Sequence, residues 1–379
     1  MKRRKFIGLG LLAALCLAGT GVPPCARANP QANSATAQPK PAEWKFAVSG
    51  DSRNCGDVVM PAIAERVKQS GAAFYWHLGD FRKMTDVDED IQHQPEHKAR
   101  PLELAEYQNL AWKDFLDNQI APFGSLPIYL GIGNHETARR TRADVLVQFR
   151  PWLDAPNLRA QRLQDDPGEL QPRTYFHWLE NNVDFINLDN ATEDEFTSDQ
   201  VAWFEKRLET DLANPALRTI VVGMHEALPE SISKNHSMNQ HTADGIESGR
   251  RVYADLLRAR NGGHKRVYVL ASHSHYFMEG TFNTPYWHAH GGVLPGWIVG
   301  TAGAQRYALP EEANFARRAE TNIYGLLIAS VRATGQITFT FERVNESEIP
   351  GAVADRYTPE FVHWCFAENS AAAERAGSP

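Results

Sequence analysis

Six side chains in this sequence have the types and the placing to bind metals: Asp51, Asp80, Asn134, His225, His273 and His275. Two carboxylates, one amide oxygen and three imidazoles make a mixed oxygen and nitrogen donor set, suited to borderline metals such as Fe, Mn or Zn. A carboxylate shared by two such cations holds them about 3.5–4 Å apart, lowers the pKa of a bridging water and lets the pair clamp phosphoryl oxygens during in-line attack. Taken singly, Asp51, Asp80 and Asn134 read more readily as turn residues capping strands, and His225 as a satisfied core histidine. Their joint placing is what points to a metal centre.

That placing is set by strands. Asp51 follows Lys45–Ser49, Asp80 follows Ala73–Leu78, and Asn134 with His135 follows Leu126–Ile132. His225 follows Thr219–Gly223, and His273 and His275 follow Arg266–Ala271. Each candidate therefore stands at the C-terminal end of an expected strand, where ligand sites gather in open α/β sheets. Between these strands, Val59, Ile63 and Val67 recur as a helix face. Thr197–Gln200 reads as a capping box ahead of an apolar face of Val201, Phe204, Leu208 and Leu212. Thr174–Leu179 and Val183–Leu188 read as a hairpin, and 297–301, 322–332 and 335–343 as later strands, the last two joined by a turn at Thr334-Gly335. Alternating strands and helices predict an α/β domain. Residues 81–125 form an insertion, helical from about Leu102 to Gln119, and the tail from Ile349 shows little periodicity.

In chain order the candidates sit in five blocks: GDSR, GDFRK, GNHE, GMHE and SHSH. This order resembles the five-block pattern of the calcineurin-like metallophosphoesterases: DxH, GDxx(D/Y), GNH(D/E), a lone His after a strand, and GHxH. The resemblance covers residues 44–345. It implies a β-sandwich of two mixed sheets flanked by helices, in α/β/β/α layers. It also implies a phosphate monoester or diester hydrolase using two transition metal ions (Fe, Mn or Zn) and a metal-bridging hydroxide. Carried over by residue, Asp51 and His275 would bind the first metal, Asp80 would bridge, and Asn134, His225 and His273 would bind the second. His135 would face the phosphate and act on the leaving group, with Glu136 orienting it. Three departures stand out. Arg53 occupies the place of the His in DxH, and a guanidinium cannot ligate a metal; it could grip a substrate phosphate as a fork instead. Lys83 stands where some members carry a Tyr ligand, and Ser272 replaces the first Gly of GHxH. The competing reading is a non-catalytic protein that binds a phospho-ligand and has lost one metal through Arg53.

Other polar residues read more blandly. His236 and His241 are expected in a solvated loop, His288 and His290 in loop structure, and His77 inside the sheet. His93 and His97 are expected at the surface. Asp86, Asp88 and Asp90 alternate as in a calcium loop but lack its glycine, so a solvated acidic loop is expected. The segments 81–125 and 227–247 are expected to shape the pocket.

Residues 1–28 read as an export signal: a basic start at Lys2–Lys5, an apolar run from Phe6 to Gly21, and the small-x-small site Ala26-Arg27-Ala28. Arg3-Arg4 resembles a twin-arginine signal, with an ordinary export signal as the alternative. Export predicts a periplasmic or secreted protein with no membrane anchor after cleavage. Residues 29–43 are a linker and 346–379 a tail. Loss of the signal removes five of the 39 basic residues and none of the 46 acidic ones, leaving a net charge of −12. Such a surface argues against nucleic acid and leaves a small phosphorylated substrate open. Cys55 and Cys365 remain after cleavage; they could pair or stay as two thiols. Substrate identity and oligomeric state are not readable from these residues.

Overall fold

Twelve strands form two sheets in the computed structural model, which describes residues 43–192, 194–238 and 242–370. The expected export signal, the linker up to residue 42, His241 and the last nine residues lie outside the described residues. In chain order the strands are β1 Glu43–Ser49, β2 Tyr75–Leu78, β3 Ile128–Gly131, β4 Phe176–Glu180, β5 Val183–Asn187 and β6 Thr219–Gly223. They continue with β7 Arg266–Ala271, β8 Phe277–Glu279, β9 Gly296–Val299, β10 Arg318–Glu320, β11 Tyr324–Arg332 and β12 Ile337–Val344. The first sheet has the order β12-β11-β1-β2-β3 and the second β10-β8-β9-β7-β6-β5-β4. Both are mixed. The pairs β1/β2 and β2/β3 are parallel in the first sheet, and β5/β6, β6/β7 and β7/β9 in the second. The outer pairs are antiparallel.

Side-chain alternation shows how the layers stack. In β1, Phe46 and Val48 enter a core shared with Phe185, Val221, Leu270 and Val299 of the second sheet. Ala47, between them, faces the other way and packs with Val59, Ile63 and Val67 of the Gly56–Ser70 helix. In the second sheet, Ile186, Val222 and Val269 turn outward onto Phe204, Leu208, Val252 and Leu256. Those four belong to the helices Ser198–Ala213 and Ala243–Asn261. Strands buried on both faces need apolar residues at nearly every position, and these have them. The result is helix, sheet, sheet, helix: the expected α/β/β/α sandwich. At Gly223 the sheets pack closely, since a Cβ there would lie 2.3 Å from the Trp76 ring.

Several expectations are corrected. The segment 227–247 is not loop throughout, since residues 243–247 open the Ala243–Asn261 helix. The tail carries two helices, Gly351–Tyr357 and Pro359–Ala367. They are too short for a readable period, and they are tied down by a Cys55–Cys365 disulfide and by Tyr357 Oη donating to Asp57 Oδ2 at 2.6 Å. Asp88 and Asp90 are fully buried rather than solvated. They surround Arg82, whose Nη1 donates to Asp90 Oδ1 at 2.7 Å and whose Nη2 contacts Asp57 and Asp114. A run of acids reads as solvated only until its cation is placed, and Arg82 is itself fully buried. His93 is half covered, stacked on Phe361 at 4.2 Å. Thr197 caps its helix by accepting from Gln200 N at 3.3 Å, but the Gln200 side chain clamps the backbone of Asp189 instead of closing a capping box. No helix among the described residues is long and apolar enough to cross a membrane.

Candidate metal centre

The parallel strands of both sheets end at one edge, and the candidate residues leave from those ends. Asp51 and Ser52 donate their backbone N–H to the carbonyls of Gly79 and Asp80, both at 3.0 Å, which joins the loops after β1 and β2. Ser272 N donates to His225 O at 2.9 Å and joins the loops after β7 and β6. Asp51, Asp80 and His273 have φ of 58°, 59° and 61°. Left-handed backbone at non-glycine residues is strained, and such strain gathers at functional sites. At Gly133 a Cβ would lie 2.3 Å from Asp80 Oδ1, so only glycine lets the β3 loop pass this close.

All six candidates are brought together. Asp80, His225 and His273 offer ligand atoms within 4.8 Å of one another, and so do Asp51, Asp80 and His275. His225 Nδ1 donates to Leu78 O at 3.0 Å, so its Nε2 carries the lone pair. Around Nε2 stand Asn134 Oδ1 and His273 Nδ1, both at 3.0 Å, and Asp80 Oδ1 at 3.4 Å. The other edge of His273 faces Glu226, with Nε2 3.9 Å from Oε1. Asp80 Oδ1, which also accepts from His135 N at 3.1 Å, thus converges with Asn134 Oδ1, His225 Nε2 and His273 Nδ1, and a cation can draw on all four. The donor set fits a borderline metal.

On the far side of Asp80 the picture differs. His275 Nδ1 donates to Gln305 O at 2.6 Å, leaving Nε2 as its acceptor. Asp51 Oδ1 lies 3.3 Å from that nitrogen and, like Asp80 Oδ2, is buried without a hydrogen bond. Arg53 enters here. Its Nη2 lies 3.1 Å from His275 Nε2 and 3.4 Å from Tyr307 Oη, and its Nε 3.5 Å from Asp80 Oδ2.

Electrostatics agree with ligand roles. Burial lowers the pKa of His273 well below the ordinary value, with His225 adding to it; burial and then Arg53 lower His275. Neutral imidazoles are the ligating form. Burial opposes ionisation of Asp80, but His225, His135 and Arg53 outweigh it and hold the carboxyl below its usual range. Arg53 is lowered by burial and raised by Asp80, Tyr307 and Asp51, with a net rise, so it stays charged.

The supporting residues act through backbone as well as side chains. Glu136 accepts from Asp80 N and Gly133 N at 2.8 Å and from Phe81 N at 2.9 Å. It holds the Asp80 loop rather than the ring of His135, whose Nδ1 is engaged by Lys83 O. His135 Nε2 is left 3.8 Å from Asp80 Oδ2. Ser272 Oγ donates to Leu78 O at 3.0 Å and stands 3.1 Å from His225 Nδ1. His77 is buried in the first sheet against Ser52 Oγ. His288 and His290 are exposed on a short helix, away from these residues.

Sequence reasoning missed Glu226, Asn190, Tyr307 and the position of His236. Asn190 clamps the backbone of Glu226 in both directions, at 2.9 and 3.1 Å. Tyr307 stacks on His275 at 3.9 Å and on His236 at 4.9 Å, so His236 roofs the site instead of lying in solvent. The repeat of a His-Glu pair at 135–136 and 225–226 was the available signal for Glu226; nothing local marks Tyr307.

Solved structures similar to this chain include two of TM-score 0.47 and 15% identity. One is purple acid phosphatase PPD1 from yellow lupin (Lupinus luteus) seeds, covering 78% of this chain and 52% of that one. The other is PhoD, covering 80% of this chain and 72% of that one. A protein serine/threonine phosphatase from Saccharomyces cerevisiae matches at 14% identity and TM-score 0.26, covering 80% and 81%. The chain spans about half the length of the lupin enzyme. No protein-family model and no curated protein matches it.

Proposed function

We propose that this chain is an exported, metal-dependent phosphoester hydrolase of the metallophosphoesterase type, acting on a small phosphate monoester or diester. The observation that carries the reading is the convergence of Asp80 Oδ1, Asn134 Oδ1 and His273 Nδ1 on His225 Nε2, at 3.0 to 3.4 Å. The carboxylate, amide and imidazole donors around Asp80 Oδ1 support the expectation of Fe, Mn or Zn there. When bound, such an ion supplies positive charge to a phosphoryl oxygen and acidifies water at neutral pH.

The chain's own residues supply the rest. Glu136 and Asn190 hold the loops that carry Asp80 and His225, so the donors are positioned before substrate arrives. Arg53 remains charged beside Asp80 and can pair with a phosphate oxygen. His135 Nε2, with Nδ1 already engaged, is the nitrogen that would exchange a proton with the leaving-group oxygen. The basic start and apolar run of residues 2–21 support export, and the acidic balance supports a small substrate over nucleic acid.

The test is metal content together with turnover of p-nitrophenyl phosphate and bis-p-nitrophenyl phosphate, in the wild type and in Asp80→Asn. Bound transition metal with turnover is expected in the wild type, and a fall in kcat of at least ~100-fold in the variant. The ratio of the two substrates separates monoesterase from diesterase. Metal-free, inactive wild type that still binds phosphate would support the non-catalytic reading, and near-normal turnover in Asp80→Asn would sink the site assignment.

A further inference from the structure

The two sides of Asp80 are not equivalent. On the Asn134–His225–His273 side, the facing atoms are two oxygens and two imidazole nitrogens. On the Asp51–His275 side a cation is already in place. The Arg53 guanidinium donates to His275 Nε2, the one lone pair that ring has left after its bond to Gln305 O. It also lies beside Asp80 Oδ2 and Tyr307 Oη. Tyr307 stacks flat on His275 and so fixes ring and guanidinium together. A metal bound to His275 Nε2 would sit within ~2.1 Å of that nitrogen, inside the space Arg53 Nη2 occupies at 3.1 Å. It would also have to share a buried, low-dielectric pocket with a permanent positive charge. Only Asp51, Asp80 and His275 remain there to hold it. The residues of this side therefore do not fit a second metal ion.

We propose that Arg53 takes the place of one metal. The centre then holds a single ion on Asp80, Asn134, His225 and His273, and the guanidinium supplies the second positive charge opposite it. This rests on the phosphoester-hydrolase reading above and deepens it. Arg53 Nη1 has no hydrogen bond to the described residues, so one N–H-bearing nitrogen of the fork stays open to an anionic oxygen. Phosphate would be gripped between the ion and a fixed fork. A guanidinium neither exchanges with solvent metal nor loses its proton, so its share of the centre's positive charge would be independent of metal supply.

The deciding measurement is metal stoichiometry on the whole protein, loaded separately with Mn, Zn and Fe(II) and then dialysed. One ion per chain is expected in the wild type. Mn-loaded protein should give the electron paramagnetic resonance signal of an isolated ion, without exchange coupling. Asp51→Ala should still hold one ion, because Asp51 reaches that side only through the backbone of His273, whose N donates to Asp51 Oδ2 at 2.7 Å. Arg53→His, which restores a lone pair and removes the charge, should hold two, with a coupled Mn signal. Arg53→Ala should keep one ion and weaken inhibition by inorganic phosphate about 10- to 100-fold. Two tightly held ions or a coupled Mn signal in the wild type overturn the proposal and leave the hydrolase reading intact. No ion at all overturns both. Should Arg53→His not fold, the wild-type count and the Asp51→Ala count decide the matter alone.

Discussion

At the residue scale, ligand atoms are only as good as the groups that aim them. Glu226 is buried one residue after His225, with Oε1 facing the outer edge of His273. A carboxylate behind a ligating histidine fixes its ring and tautomer. Burial first, and then Asp194 hydrogen-bonded to it, raise the Glu226 carboxyl well above its usual range, so a neutral amide should replace it with little loss. Glu226→Ala is therefore expected to weaken metal affinity by about 10- to 100-fold, measured by competition with a chelator, while Glu226→Gln stays within a few-fold. Equal losses in both would mean that Glu226 acts only through packing. The candidate ligands were readable because each sits two to four residues beyond a strand, and Asp51, Asp80 and Asn134 each follow a glycine. Tyr307 was not, because its contact with Arg53 spans 254 residues and leaves no local mark.

Among the elements, strand periodicity carried well. Thr219–Gly223 and Arg266–Ala271 run over the predicted residues, and most other strands start or end within about two residues of expectation. The three-residue strands β8 and β10 are too short to alternate visibly. The Ala243–Asn261 helix went unread behind a polar first turn, although its apolar face packs on the second sheet. One element contact gives a pH prediction. His177 of β4 lies between Asp184 of β5, at 2.8 Å, and Asp165 at the end of the Pro156–Asp165 helix. Arg207 and Asp211 of the Ser198–Ala213 helix complete this cluster. Burial lowers the His177 pKa, but Asp184 and Asp165 outweigh it and raise it to about 9. A raised histidine adds stability that is full below the unfolded value near 6.5 and is lost as pH climbs through about 9. Burial and then Asp184 raise Asp211 to about 8, which adds to the same loss. Urea unfolding of the wild type should show roughly 2–3 kcal/mol less stability at pH 9 than at pH 6 from His177. His177→Gln should show a clearly smaller drop. An equal drop would show that His177 does not carry the effect.

For the whole molecule, the last described helix closes back toward the site. Cys365 is bonded to Cys55, two residues from Arg53. Asn369 bridges Asn54, Gly303 and Tyr324. The closed loop spans 310 residues, so the crosslink removes much unfolded-state freedom. Reduction, or the double change Cys55→Ser with Cys365→Ser, should cost about 3–5 kcal/mol, measured by denaturant unfolding. A change under about 1 kcal/mol would show that packing of the Pro359–Ala367 helix holds the tail without it. Arg82 acts at the same scale, joining the Gly56–Ser70 helix through Asp57 to the insertion through Asp90 and Asp114.

By itself the sequence determined the α/β class, the run of strand ends and the six candidate residues at them, because these rest on short apolar runs and on residues near one another in the chain. Whether Cys55 and Cys365 pair, which acids surround Arg82, and that Arg53 lies against His275 instead of facing solvent were decided only by tertiary structure. Those contacts join residues 222 to 310 positions apart, or turn on which neighbouring charges are buried together, and no local pattern encodes such a meeting.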